Sequence, residues 1–183
     1  MRQGVDVGAK MLQGANGVNK ALISHASDEY ETPEWLFNAL DREFRFDVDL
    51  CAAPGNFQTE PFFTKAQDAL IHDWTHFKAC WMNPPYSLVE KFMARAWDAG
   101  QMGITIVALV PARTDTQWWY KYAVNAAQIR FIVGRLRFGP GAGSAPFPSA
   151  VVVFGVGGQQ KTVWMTKTQI AERGLQYEQN PKR

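Results

Sequence analysis

The residues of this 183-residue chain best suited to chemistry are Asn83, Pro84, Pro85 and Tyr86, which follow one another directly. Two consecutive prolines fix the backbone and remove two N–H donors, so the carbonyl groups beside them are left as acceptors. The Asn83 side-chain oxygen next to such a carbonyl can accept the hydrogens of an amino group, and the Tyr86 ring can stack on a planar base. These groups would hold an exocyclic amine while its nitrogen attacks a methyl donor. The simpler interpretation of the same four residues is a proline-rich turn capped by Asn83.

A carboxylate lies upstream of this motif in a similar setting. Asp49 falls at or near the end of an alternating segment, residues 46–51, that predicts a short strand. A carboxylate at such a strand end can meet an ammonium group or a ribose hydroxyl. The small residues that follow, Ala52, Ala53 and Gly55, would let a ligand approach the backbone closely.

The elements that must position these residues alternate between strand and helix patterns. Thr32 as N-cap and Pro33 at the first helical position predict a helix with an apolar stripe. Further helices are predicted over residues 88–99 and 114–124, and strands over residues 79–82, 103–110, 128–133 and 149–156. The continuous apolar run at 103–110 is typical of a strand buried on both faces.

This alternation predicts an α/β fold with a mostly parallel sheet and helices on both faces. The last two of these strands are joined by a loop without a helix, which predicts an antiparallel hairpin at that end of the sheet. Residues 157–183 are expected to add one terminal strand or short helix. Ligands of such sheets bind beyond the carboxyl ends of the strands, where the turns after residues 50 and 82 fall.

Several segments resemble a known family. Residues 49–56 and 83–86 look like the cofactor and catalytic motifs of amino-group DNA methyltransferases, and the chain most closely resembles the small phage and prophage DNA N6-adenine methyltransferases, the Dam-like family. Other segments that match in kind are residues 28–35, 70–74, 108–119, 130–139 and 144–154. One departure is that the turn reads Ala52-Ala53-Pro54-Gly55, where methyltransferases usually have a Gly-x-Gly loop.

The resemblance implies a Rossmann-like class I methyltransferase that uses S-adenosyl-L-methionine and acts on adenine in double-stranded DNA. The expected catalytic domain covers residues 28–156 and is followed by a tail (157–183) that packs on or extends it. Residues 1–27 are rich in Gly, Asn, Ala and Ser, which predicts a mobile arm, and an extension without a role is the alternative. The implied cofactor residues are Thr32, Pro33, Asp49, Cys51, Ala52 and Asp73. We expect Asp73 to bind the cofactor's adenine amino group; the alternative is a turn cap beside Trp74.

The expected DNA contacts lie downstream. Arg113 follows the most strongly predicted strand, and Arg135 and Arg137 flank a Gly- and Pro-rich loop that contains Ser144. We expect these four residues to contact DNA, although ordinary surface arginines on a hairpin are the competing interpretation. Of the neighbouring Trp118 and Trp119, at least one should be a core residue, because adjacent helix residues face different ways.

Composition and charge exclude several classes of protein. The net charge of +2 excludes a polycation, and it conceals an acidic segment (28–76, 11 acidic and 3 basic residues) and a basic one (77–183, 5 acidic and 13 basic). Neither Cys51 nor Cys80 follows a proline, as the nucleophile of cytosine C5 methylation would. His72 and His76 lack further ligands nearby, so we expect no metal site.

No apolar run is long enough for a membrane span and no signal peptide is expected, which predicts a cytoplasmic protein, in a host cell if phage-encoded.

Other activities remain open at the level of sequence. The Asn-Pro-Pro-Tyr string also occurs in enzymes that methylate protein glutamine side chains or exocyclic amines of RNA. A non-catalytic DNA-binding protein with a relict pocket is a further alternative. The recognised DNA sequence is not encoded in any motif, and GATC is an expectation from family analogy alone. A monomer and a homodimer are both compatible with the sequence.

Overall fold

The computed structural model describes residues 30–53, 57–139 and 143–179, so the predicted arm and part of the turn after β1 lie outside the described residues. A seven-stranded sheet has the order β2-β1-β3-β4-β6-β5-β7. The strands are β1 (Val48–Ala52), β2 (Phe62–Thr64), β3 (Ala79–Met82), β4 (Thr105–Pro111), β5 (Gln128–Ile132), β6 (Ser149–Phe154) and β7 (Lys161–Met165). The helices are α1 (Glu34–Phe44), α2 (Val89–Gln101), α3 (Gln117–Lys121) and α4 (Lys167–Gln179).

The sheet is mostly parallel, as predicted, and β6 is the exception. Strand β6 is antiparallel to both β4 and β5, whereas β1, β2, β3 and β4 pair in parallel and β7 pairs in parallel with β5. The predicted antiparallel pair of β5 and β6 is therefore present. It is not terminal, because β6 inserts between β4 and β5 and β7 forms the outer edge.

Helices cover both faces of the sheet. On one face α2 buries Phe92, Met93 and Ala96 against β1, β3, β4 and β6. On the other face α1 buries Leu36 and Leu40 beside Ile170 of α4. Every residue of β6 is buried, which explains why the strand is apolar at every position after Ser149. The fold is thus a mixed α/β architecture consistent with a Rossmann-like arrangement.

Helix α1 begins one residue later than predicted. Its N-cap is Pro33, whose carbonyl accepts hydrogen bonds from the Leu36 and Phe37 N–H groups. The Thr32 hydroxyl consequently does not cap the helix and is available to another partner. At the other end Arg45 takes a left-handed conformation and its N–H closes the helix on the Asp41 carbonyl.

Two further expectations need correction. The predicted helix over 114–124 is only five residues long. The expectation that at least one of Trp118 and Trp119 is a core residue is confirmed, and both are buried in the same core. The tail contains both a strand and a helix: β7 extends the sheet, and α4 packs on α1 so closely that a Cβ on Gly174 would lie 2.5 Å from the Ala39 carbonyl oxygen.

Candidate active site

A cavity of about 440 Å³ lies beyond the carboxyl ends of β1 and β3. The chain runs from β1 outward to β2 and then returns past β1 to form β3, so the strand order reverses at this point. Such reversals are where open α/β sheets bind ligands. Six of the predicted site residues line the cavity: Thr32, Asp49, Cys51, Ala52, Asn83 and Pro85.

The Asp49 carboxylate is buried, with only 2% of the residue exposed. It accepts hydrogen bonds from the N–H groups of Cys51 and Gln58, both at 3.0 Å. Burial raises the pKa of Asp49 to about 6, against the lowering effect of these two N–H groups. Among the described residues no cationic side chain forms an ion pair with it. A buried, uncompensated carboxylate of this kind suits a cationic ligand group.

The Asn83 side chain is held by the segment before α1. Its Nδ2 donates to the Tyr30 carbonyl at 2.6 Å and to Thr32 Oγ1 at 3.1 Å. Both amide hydrogens are thereby used within the protein. The Oδ1 atom receives no hydrogen bond from the residues that the structure describes, so it remains an acceptor at the cavity.

The two prolines of the motif have different surroundings. Pro84 is buried, and Pro85 lines the cavity. The Pro85 carbonyl accepts the Leu88 N–H at 2.9 Å, which starts the short turn into α2. No described N–H group donates to the Pro84 carbonyl.

Tyr86 lies in a cluster of aromatic rings and does not line the cavity itself. Its ring stacks on Tyr30, with ring centres 4.9 Å apart, and meets the Phe147 ring edge-on at 5.0 Å. Burial raises the pKa of the Tyr86 phenol, the nearby Tyr30 adds to this, and Arg113 opposes it. Tyr86 is therefore an uncharged stacking surface. We refer to Tyr86, Phe138 and Phe147 as the aromatic box; its three rings surround Tyr30.

Cys51 and Ala52 form part of the cavity wall. Burial raises the pKa of the Cys51 thiol well above its usual range, the nearby Asp49 adds to this, and the Asn83 backbone N–H partly opposes it. The thiol is thus neutral and unsuited to act as a nucleophile. Ala52 is buried, and its small side chain leaves room at the end of β1.

Asp73 lies outside the cavity, contrary to the expected cofactor contact. Its carboxylate accepts hydrogen bonds from the Thr75 N–H at 2.9 Å and the Thr75 hydroxyl at 2.7 Å, and it lies 3.7 Å from His76 Nε2. Hydrogen bonds from Thr75 lower its pKa. The segment before it forms a 3₁₀ turn (Ala69–Ile71) rather than a strand, so Asp73 has no sheet edge to face. These contacts are those of a turn cap, and Asp73 has no part in the site proposed below.

Sequence reasoning missed several residues that line the cavity. Tyr30 and Glu31 stand three and two positions before Pro33, in a segment already singled out, but nothing in their types indicated a site role. Lys65, Asp68 and Lys91 add charges of both signs to the wall, and Asp68 also caps a 3₁₀ turn through the Leu70 N–H. The apolar part of the wall includes Phe63, Leu70 and Phe92.

The four residues expected to contact DNA are all exposed. Arg113 lies just beyond β4 and is close enough to Tyr86 to affect its pKa. Arg137 and Ser144 form an isolated antiparallel bridge, so they face each other across one loop. That loop reaches the cavity wall, because a Cβ on Gly139 would lie 2.9 Å from a Glu31 carboxylate oxygen. Within residues 30–53, 57–139 and 143–179 there is no cluster of three metal-ligating side chains, and no helix could span a membrane.

Comparisons with known proteins agree on one family. A family model described as DNA N-6-adenine-methyltransferase (Dam) matches residues 20–168. A DNA N-6-adenine-methyltransferase of Haemophilus phage HP1 (strain HP1c1) is 35% identical over 108 residues, which are 57% of this chain and 62% of the relative. One from Escherichia phage T1 is 30% identical over 106 residues, which are 57% of this chain and 44% of the relative. The chain therefore matches less than two thirds of the length of either relative.

Proposed function

This chain belongs to the DNA N-6-adenine-methyltransferase (Dam) family, and from that membership we propose that it methylates the N6 amino group of adenine in double-stranded DNA with S-adenosyl-L-methionine as methyl donor. The observation that carries the proposal is the fixed Asn83 carboxamide. Its two hydrogens are bonded to Tyr30 and Thr32, and its free oxygen remains at a cavity that also contains the buried Asp49 carboxylate.

The residues of the cavity fit the chemistry of S-adenosyl-L-methionine. The uncompensated Asp49 carboxylate suits its ammonium group, and Lys65 and Lys91 are available to its carboxylate. The apolar side chains of Phe63, Leu70 and Phe92 suit its planar base, and the volume lies within the range of small-molecule pockets. Thr32, Cys51 and Ala52 complete the wall, while Pro33 supports it indirectly by starting α1. When bound, the cofactor supplies an electrophilic methyl group on a sulfonium sulfur.

The protein's contribution to the reaction is positioning. The amino group of an adenine cannot be reached within the base stack, so the base must leave the helix and enter the site. Asn83 Oδ1 and the Pro84 carbonyl would accept the two amino hydrogens, and the uncharged Tyr86 ring would stack on the base. Both acceptors pull electron density toward nitrogen, and the attacking atom is held in one orientation. The nitrogen would form its new bond to the methyl carbon as the bond from that carbon to the sulfonium sulfur breaks, which leaves S-adenosylhomocysteine as the neutral thioether. The methylated nitrogen would then lose one proton to solvent.

Arginines on the same rim would bind the DNA backbone. Arg113, Arg135 and Arg137 are exposed and belong to the basic part of the chain, and Ser144 faces Arg137 across the loop. Guanidinium groups at this rim would neutralise phosphates and hold the duplex over the cavity. GATC is the first recognition sequence to test, on family analogy alone.

A methyl-transfer assay tests the proposal directly. Tritiated S-adenosyl-L-methionine is supplied with double-stranded DNA, RNA or a glutamine-containing protein, and we expect label on DNA only. Label on RNA or protein instead would overturn the substrate assignment. Absence of cofactor binding in calorimetry would overturn the enzymatic assignment and favour a non-catalytic DNA-binding protein.

The variant Asn83→Ala isolates the catalytic element. We expect it to lose methyl transfer while it still binds the cofactor. Asn38→Ala is the matched control, because Asn38 is exposed on α1 and does not line the cavity described above. Full activity of Asn83→Ala would contradict the assigned role. Sequencing of plasmid DNA from a strain without its own adenine methylation then identifies the methylated site.

A further inference from the structure

Tyr30 connects the cavity wall to the ring of Tyr86. Tyr30 lines the cavity and Tyr86 does not, although the two rings are stacked with centres 4.9 Å apart and planes at 21°. One face of the Tyr86 ring is therefore covered by a residue of the cavity wall. A base that enters through the cavity can reach this face only if the Tyr30 ring moves.

Tyr30 has the contacts that a planar ligand would have in the aromatic box. Besides stacking on Tyr86, its ring meets Phe138 at 5.0 Å and 63° and Phe147 at 5.3 Å and 90°. Phe138 and Phe147 are each only 8% exposed and belong to the core on the α1 side of the sheet. The box is thus a preformed slot whose walls are fixed by core packing and whose occupant is one aromatic ring.

The Tyr30 backbone has a separate role from its ring. The Tyr30 carbonyl accepts the 2.6 Å hydrogen bond from Asn83 Nδ2. Rotation about the Cα–Cβ bond would move the ring and leave this carbonyl in place. The ring can therefore vacate the box without releasing the Asn83 carboxamide.

We propose that the Tyr30 ring occupies the place of the target base in the aromatic box, and that the base enters by displacing it. This inference rests on the proposed function. Tyr30 is then a positioning residue that competes with the base. A base enters the aromatic box only if its stacking there is more favourable than the stacking of the Tyr30 ring that it displaces. The apparent affinity for an extruded base is reduced by the fraction of molecules in which Tyr30 fills the box.

The experiment compares two duplexes with each variant. One duplex contains the recognition site with an unmethylated target adenine. The other is identical except that an abasic position replaces that adenine. Dissociation constants are measured by fluorescence anisotropy with S-adenosylhomocysteine present, so that no methyl group is transferred. The ratio of the two constants contains the binding of the extruded base and the free energy of unpairing it. Because the free energy of unpairing is the same for every variant, a change in the ratio between variants reports the binding of the base.

For Tyr30→Ala we expect the ratio to shift in favour of the adenine duplex by roughly two- to tenfold, the equivalent of one aromatic stacking pair. Binding of the abasic duplex should not change. A ratio that stays constant, or that shifts against adenine because Tyr30 is a wall on which the base stacks, overturns the inference.

Control variants keep the result interpretable. Tyr30→Phe retains the ring and should match the wild type, as should Tyr120→Ala, since Tyr120 is 73% exposed on α3. If Tyr30→Ala does not fold, Tyr30→Leu replaces it, and cofactor calorimetry with thermal melting verifies each variant. If the wild-type protein transfers no methyl group to DNA, the proposed function itself is wrong. If the wild-type protein methylates DNA but Tyr30→Ala leaves the ratio of dissociation constants unchanged, only the displacement of Tyr30 is wrong.

Discussion

Asn83 donates a 3.1 Å hydrogen bond to the hydroxyl of Thr32, a residue 51 positions earlier in the chain and 8% exposed. The bond connects the turn after β3 to the segment that enters α1. Because Pro33 starts the helix, the Thr32 hydroxyl is not needed as a cap. The orientation of the proposed catalytic amide thus depends on the start of a helix on the opposite face of the sheet from α2.

Replacement of Thr32 by valine tests this dependence. Valine keeps the shape of threonine but cannot accept the hydrogen bond, so the Asn83 amide loses one of its two fixed partners. We expect kcat for methyl transfer to fall by about five- to tenfold, the equivalent of one hydrogen bond of roughly 1 kcal/mol, with little change in the KM for DNA. Steady-state kinetics of methyl transfer measure both constants.

The variant Thr32→Ser is the matched control, since it retains the hydroxyl and removes only a methyl group. Its kcat should stay near that of the wild type. A drop of equal size in both variants would show that packing, rather than the hydrogen bond, is responsible.

The parts of the site that the sequence predicted are those governed by local pattern. Asn83 follows the short apolar strand β3, and the carboxyl ends of adjacent parallel strands meet at one edge of a sheet. Asp49 was expected at or near a strand end, but it is the second of the five residues of β1, and its side chain lines the cavity from within that strand. The positions of the strands and the antiparallel pairing of β5 with β6 were likewise predicted from local sequence pattern and from the short connection between them. The insertion of β6 between β4 and β5 does not, because strand order is decided by packing among distant segments.

The ring contacts between Tyr30 and the aromatic box could not be predicted from the sequence. Tyr30, Tyr86 and Phe147 come from three separate segments, and no spacing in the sequence links their rings. Asp73 is a different case. Its neighbours suggested a strand end, whereas the structure has a 3₁₀ turn over Ala69–Ile71, and the buried Trp74 donates its ring N–H to the Ala69 carbonyl at 2.8 Å.

Replacement of Asp49 by asparagine should stabilise the protein and weaken cofactor binding. The folded pKa of about 6 exceeds the ordinary value of 3.8, so the folded state holds the proton more tightly, and ionisation opposes folding increasingly as pH rises from 4 to 6. A pKa shift of this size limits the gain in unfolding free energy to about 3 kcal/mol. Because the asparagine amide has one acceptor oxygen fewer than the carboxylate, we expect Asp49→Asn to raise the unfolding free energy by about 1–2 kcal/mol at pH 7.5. Denaturant unfolding measures it.

The pH dependence separates this cause from a change in packing. The stabilisation by Asp49→Asn should shrink as pH falls toward 4, where the wild-type carboxyl is protonated as well. Wild-type affinity for S-adenosyl-L-methionine, measured by calorimetry, should fall below pH 6 as Asp49 loses its charge. A stability difference that is constant from pH 4 to 7.5 would show that ionisation of Asp49 is not its source.

Removal of the Glu43 charge should destabilise the fold strongly. Glu43 accepts two 2.6 Å hydrogen bonds from Arg130, which is 1% exposed, and it also binds Arg173 of α4. In Glu43→Gln the buried guanidinium has no counter-charge, which costs about 3 kcal/mol or more in unfolding free energy. Glu178→Gln is the control, because its ion pair with Arg42 is largely exposed and contributes less than about 1 kcal/mol. Comparable losses in the two variants would refute the special role of the buried pair.

Replacement of Arg113 by glutamine tests which rim of the sheet faces DNA. Arg113 follows the carboxyl end of β4 and lies near Tyr86, so it should neutralise a phosphate beside the entering base. Loss of one such contact should lower the slope of log K against log salt concentration by about 0.9 and weaken binding at low salt. Anisotropy titrations across salt concentrations measure both.

Lys78→Gln removes the same charge just before β3, on the opposite rim, and should leave the slope unchanged. If Lys78→Gln lowered the slope and Arg113→Gln did not, DNA would bind at the amino ends of the strands, away from Asn83.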